Sequence, residues 1–143
     1  MAHFAEIDEN NTVVRVLVVP DEQEHRGQEF LADDLGLGGT WIQTSYNATI
    51  RKRYGGIGME WHPDIDAFVY PKPYDYWILD LVEARYFPPL WESGVAYEED
   101  YTVMHEGEYY QVVEPHTSQP DWTPDIAVSL FKVHQRTDEG EYN

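Results

Sequence analysis

Cysteine is absent from the 143 residues, which removes disulfides, thiolate metal sites and cysteine nucleophiles together. Bases are scarce as well: 9 Lys and Arg stand against 27 Asp and Glu, a formal net charge of −18. A polyanion of this kind repels phosphate, so nucleic acid is not an expected partner, and anionic membrane surfaces are disfavoured for the same reason. Long apolar runs are missing too. The longest, Val13–Val19, is interrupted by Arg15 and falls far short of the roughly 18 residues that span a bilayer. Residues 1–8 carry neither the basic nor the apolar stretch of a secretory leader, so a soluble chain without one is expected.

Aromatic residues, by contrast, are plentiful. Five Trp, eleven Tyr and five Phe make up 15% of the chain, enough large apolar area to build a core in a protein of this size. Their arrangement is β-like. Short β-branched or aromatic runs flank polar clusters: 4–7 and 12–19 around 8–11, 40–44 and 50–54 around 45–48, 59–61 and 67–70 around 62–66, and 76–79 and 84–87 around 80–83. Each pair reads as a hairpin. One short helix is expected over 22–35, stopped by Gly36, Gly38 and Gly39. The expected fold is mainly β, in two units: a β-rich N-terminal domain over 1–87 and a small β module over 88–134, followed by a flexible acidic tail over 135–143. Pro88-Pro89 marks the boundary. Residues 1–86 hold 15 acids and 7 bases, whereas 87–143 hold 12 and 2, so the shorter segment is the more acidic per residue.

Several clusters invite chemistry and have plainer explanations. His62-Pro63-Asp64-Ile65-Asp66 offers an imidazole and two carboxylates, yet these are ordinary turn formers and the twelve-residue calcium-loop pattern is missing. Gly55-Gly56-Ile57-Gly58 lacks the Lys-Ser/Thr of a phosphate loop. His116, Ser118 and Asp121 lie too close in sequence for triad geometry, with no nucleophile elbow, so His116 and Ser118 are expected to hold the loop by hydrogen bonds. Arg51-Lys52-Arg53, the basic cluster, is expected on a strand, as a solvated edge that discourages pairing or as a contact for an acidic neighbour.

From Trp91 onward the spacing becomes specific: Trp91, Gly94, Tyr97, Asp100 and Val103 at intervals of three, then Gly107-x-Tyr109-Tyr110, His116-Thr117-Ser118 and Asp121-Trp122-Thr123-Pro124. This segment resembles the short chitin-binding-type carbohydrate-binding modules of families 5 and 12, found on chitinases and in phage virion proteins. The resemblance implies a small β fold with surface aromatics for sugar stacking. Tyr97, Tyr110 and Trp122 are the candidates for that platform, with Glu98 and Asp121 accepting hydrogen bonds from hydroxyls; Trp91 and Tyr109 are expected in the core. The C-terminal Leu-Trp frequent in that family is Leu130-Phe131 here, which keeps a hydrophobic plug without an indole N–H.

The N-terminal part, with Ala-His-Phe-Ala-Glu-Ile-Asp-Glu-Asn-Asn after Met1, Gly-Thr-Trp-Ile-Gln-Thr-Ser-Tyr-Asn at 39–47 and Pro-Lys-Pro-Tyr at 71–74, resembles a small uncharacterised protein family of marine tailed phages, especially cyanophages. That resemblance implies a place in a virus particle. The combined expectation is a non-enzymatic virion protein made in the host cytoplasm, a capsid decoration protein displaying the module outward, with no cofactor and no metal. Its partners would be other virion proteins, a polysaccharide or cell-surface glycan, and further copies of itself. The alternatives are a tail or fibre adhesion component, or a purely structural virion protein whose module has lost sugar binding. A glycan-degrading enzyme would need a cleft with two carboxylates at defined separation, which composition alone does not single out.

Overall fold

The computed structural model describes residues 1–134; the expected acidic tail over 135–143 lies outside the described residues. The architecture is mainly β, with strands β1 (Ala2–Ile7), β2 (Val13–Val19), β3 (Thr40–Thr44), β4 (Glu60–His62), β5 (Ala67–Val69), β6 (Ile78–Asp80), β7 (Arg85–Phe87), β8 (Ala96–Tyr97), β9 (Thr102–His105), β10 (Glu108–Val112), β11 (His116–Thr117) and β12 (Phe131–Val133). They form small separate sheets ordered β2-β1-β3, β12-β10-β9, β11-β8, β4-β5 and β6-β7. Two compact units result: Met1–Pro71 with Leu81–Arg85, and Lys72–Asp80 with residues from Tyr86 onward. A single cut at Pro88-Pro89 does not divide them, because the chain passes between the units more than once.

In the first unit β1 and β2 form the expected hairpin, with Asp8 Oδ1 accepting the Asn10 and Thr12 N–H groups at 2.9 and 3.0 Å. Asn11 closes the turn at φ 61°, a left-handed conformation that Asn tolerates better than most residues. The hairpin expected between 40–44 and 50–54 does not form. β3 pairs instead with β1, antiparallel, from His3↔Thr44 to Ile7↔Thr40. Ala48, Arg51 and Lys52 all have positive φ, so the chain after β3 bends rather than extends, and the basic cluster is not on a strand. Arg51 pairs with Asp66 at 3.1 Å and lies over the Trp61 ring at 5.5 Å. The Arg53 guanidinium donates to the carbonyls of Phe68 and Ala84 at 2.5 and 2.6 Å and lies over Tyr70. It clasps the turn at Leu81–Arg85 to the rest of this unit.

The helix expected over 22–35 appears as three joined pieces: a 3-10 stretch at Asp21–Arg26, one α turn at Gly27–Glu29 and a π turn at Phe30–Asp34. Gly27 sits against the Phe4 ring, where any side chain would collide. Leu31 enters the core with Phe4, Val19 and Trp41, and a second cluster gathers Ala5, Val13, Met59, Trp61 and Phe68. Asp64 and Asp66 lie in the β4–β5 turn that follows His62, where His62 Nε2 meets Glu60 at 2.8 Å, Asp66 meets Arg51 at 3.1 Å and Asp64 is exposed.

In the second unit, Val103 on β9, Val112 on β10 and Phe131 on β12 join Tyr97 in a core against which Trp91, Tyr101 and Tyr110 pack. The segment 72–80 belongs here because its rings are built in. Tyr76 stacks on Tyr101 at 4.1 Å and 13°, and its hydroxyl accepts the Thr102 N–H at 3.0 Å. Trp77, almost fully buried, meets Tyr109 edge to face at 5.7 Å. Burial comes first among the causes that push the phenols of Tyr97, Tyr101 and Tyr110 above their ordinary value.

Two outcomes follow for stability. At Gly55 an added Cβ would lie 2.5 Å from the buried Phe68 ring, so Gly55→Ala is expected to destabilise the first unit by about 1–3 kcal/mol, read as a lower urea midpoint. The raised phenols act on pH dependence. The unfolded phenols ionise near their ordinary value of about 10 while the folded ones hold their protons, so their contribution to stability is complete below that pH and is lost as pH rises through the folded values. Thermal melts between pH 8.5 and 11.5 are expected to show this fall, and Tyr101→Phe to reduce its slope relative to the parent.

Candidate functional site

Residues 119–130 run between β11 and β12 as a series of tight turns, with Trp122 N–H donating to Gln119 at 3.0 Å, Ala127 N–H to Thr123 at 2.8 Å and Leu130 N–H to Ala127 at 2.9 Å. Pro124 is buried, and Ala127 and Leu130 pack on the core. These anchors leave the intervening side chains outside. The Trp122 ring is 41% exposed and, with Asp121, Ile126, Ala127, Ser129 and Leu130, lines an open cavity of about 380 Å³. That volume falls at the small end of ligand-sized pockets. Its chemistry is mixed: a broad indole and aliphatic groups, with a carboxylate and a hydroxyl at hand.

Of the three expected platform rings and two expected acceptors, Trp122 and Asp121 line this cavity, and Tyr97, Tyr110 and Glu98 do not. Tyr97 is only 5% exposed, which corrects its assignment as a stacking surface. Its ring is surrounded by Tyr101, His116 and Phe131 at centroid distances of 5.5, 6.0 and 6.4 Å, and its hydroxyl is tied to the Glu92 backbone. The reason is strand geometry: on the two-residue β8, Ala96 faces out, so the neighbouring Tyr97 faces in. Tyr110 is half-buried on β10, paired with Val103 and Val133, and Glu98 stands exposed in the β8–β9 turn. Neither is among the residues lining the Trp122 cavity. Tyr109 is buried as expected, and Trp91 packs against the core and edge-on to His105 at 5.9 Å. Phe131 is the expected buried plug.

Ser118 and His116 have the loop-holding roles expected of them. Ser118 is buried, donates from Oγ to the Glu92 carbonyl at 2.6 Å and accepts the Val95 N–H at 3.0 Å. His116 Nδ1 meets the Glu114 carbonyl at 2.7 Å. The Ser118 hydroxyl proton is therefore committed to a backbone oxygen, not to an imidazole.

A carboxylate is also fixed close in sequence to the indole. Asp125 is held below the usual carboxylate range, chiefly by a hydrogen bond from Thr123, with the nearby His105 adding to the effect. His105 Nε2 lies 3.4 Å from Asp125 and 3.9 Å from Glu106. These three groups fall within 4.8 Å of one another, an arrangement that an acid–imidazole pair accounts for. The sequence reading missed Ile126, Ala127, Ser129 and Leu130, which shape the cavity; no periodicity marks residues in successive turns. It also placed Tyr74 and Tyr76 in the N-terminal part, although Tyr74 stacks on Tyr76 at 5.7 Å and thereby joins the ring series that reaches Tyr101.

No curated protein matches the chain. Residues 90–132, which include the whole Trp122 turn series and the strands beneath it, match the model of carbohydrate-binding module family 5/12.

Proposed function

We propose that this chain is a non-catalytic glycan-binding protein whose second unit engages a neutral polysaccharide through the exposed face of Trp122. The observation that carries this reading is the position of that ring: it stands on a loop pinned at Pro124, Ala127 and Leu130, inside the segment that matches the carbohydrate-binding module, with Asp121 and Ser129 beside it. A sugar ring presents C–H groups on one face and hydroxyls at its edge. An indole with flanking aliphatic groups covers the first and polar neighbours receive the second. The loss of Tyr97 from the platform leaves one principal stacking ring, so single-site binding is weak and gains strength from copy number.

The setting we propose is a tailed-phage virion, with the protein decorating the capsid or serving as a tail or fibre adhesion component. Support comes from the N-terminal resemblance, the small size, and the charge of −18, which keeps crowded particle surfaces soluble. A second reading is a structural virion protein whose module packs on neighbouring subunits. Ile126, which lines the cavity with Trp122, and Val128 two residues on, 68% and 77% exposed, are the feature that favours it, since exposed aliphatic groups suit protein contact.

Retention on insoluble chitin and cellulose decides between them. Trp122→Ala is expected to reduce retention by about tenfold or more, corresponding to roughly 1.4 kcal/mol, while Trp122→Phe keeps an intermediate value. No retention of the parent protein on any polysaccharide, together with burial of Trp122 in purified particles, would establish the structural reading instead.

A further inference from the structure

The first unit carries a cleft of about 590 Å³ that is separate from the segment matching the carbohydrate-binding module. Its walls come from the end of β3 and the bend that follows, together with the start of β1 and Glu24. Tyr46, 71% exposed, is the ring it offers. The polar lining is hydroxyl and amide for the most part, from Gln43, Ser45, Asn47 and Thr49, with Glu24 as the carboxylate, the His3 imidazole, and the Met1 ammonium, whose charge is paired with Asp21 at 2.7 Å.

These groups are pre-set. Ser45 Oγ and Thr49 Oγ1 share a hydrogen bond at 2.7 Å, Ala48 N–H donates to Ser45 at 2.9 Å, and Arg51 donates to the Gln43 carbonyl at 3.1 Å. Gln43 Nε2 in turn donates to Glu24 at 2.9 Å, which aims an amide and a carboxylate side by side. Tyr46 is backed by Tyr54 at 5.6 Å and His3 at 5.8 Å, themselves 6.3 Å apart. At these separations the three rings touch one another. They leave no gap between them for a quaternary ammonium group, so the trio supports one exposed aromatic surface and is not a cation cage.

We propose that this cleft is a second carbohydrate site, taking a neutral oligosaccharide whose ring stacks on Tyr46 while its hydroxyls meet Gln43, Asn47, Thr49 and Glu24. The lining chooses the ligand class. Glu24 and the overall negative charge oppose acidic sugars, paired amide and carboxylate groups suit vicinal hydroxyls, and the volume lies within the range of ligand pockets. The proposal does not depend on Trp122 binding sugar. If both sites act, one chain carries two contacts and gains avidity without any new residue.

The test uses the full chain and four proteins: parent, Trp122→Ala, Trp122→Ala with Tyr46→Ala, and Trp122→Ala with Tyr46→Phe. Each is titrated with chitohexaose and cellohexaose, with hyaluronan oligosaccharide and choline chloride as the acidic and cationic probes. Because Tyr46 is largely exposed, its truncation should leave the fold intact, checked by circular dichroism and the melting midpoint. The expected result is binding of a neutral probe by Trp122→Ala, weakened about tenfold or more by the added Tyr46→Ala and restored to within about threefold by Tyr46→Phe. Loss of all binding in Trp122→Ala while the parent binds would overturn the second site and leave the Trp122 reading standing. Equal binding with and without the Tyr46 ring would overturn it, as would binding confined to hyaluronan or choline, or no binding by the parent at all.

Discussion

Ring contacts and guanidinium clasps take the place that long strand ladders hold in larger β proteins. The longest strand here, β2, has seven residues, and several have two or three; a two- or three-residue ladder closes too few hydrogen bonds to persist alone. What joins the small sheets is aromatic area. The stack of Tyr76 on Tyr101, continued to Tyr97 and from there to Phe131 and His116, runs through the second unit. In the first, the Trp61–Phe68 contact at 5.0 Å and the Arg53 bonds to backbone carbonyls do the same work. A chain without cysteine needs such cross-links.

This dependence has a consequence for binding. Rings that staple the fold are unavailable to ligands, so a high aromatic content does not by itself make a large platform. Tyr97, Tyr101 and Tyr109 are committed inward, and the two most exposed Tyr and Trp rings among the described residues stand on turns: Trp122 between β11 and β12, and Tyr46 after β3. Both lie where the backbone is held by local hydrogen bonds rather than by sheet pairing. A rigid turn with an exposed ring and polar neighbours presents a flat face at little entropic cost.

The acids divide in a similar way. Asp66, Asp34 and Glu6 are paired with arginines, and Asp125 is held by Thr123 and His105. Many others, among them Glu98, Glu99, Glu108 and Glu114, stand exposed and contribute to a field that disfavours acidic ligands near either candidate site. Among glycans, such a field opposes acidic ones and leaves neutral ones unopposed.

Much of this was legible in the chain. The alternation of aromatic and β-branched runs with turn residues pointed to a mainly β protein with hairpins over 4–19, 59–70 and 76–87, and the three-residue spacing from Trp91 falls in the segment that matches the carbohydrate-binding module. The exposed position of Trp122 was suggested by its neighbours Asp121 and Thr123-Pro124. Pairing partners and ring facing were not so readable. β3 joins β1 because positive φ angles at 48, 51 and 52 divert the chain, and local propensity does not encode which distant strand then receives it. Tyr97 points inward because the other face of a two-residue strand is solvent, and Tyr76 joins the second unit because its ring and hydroxyl find Tyr101 and Thr102. Such choices depend on which surfaces meet in three dimensions, and only the tertiary structure decides them.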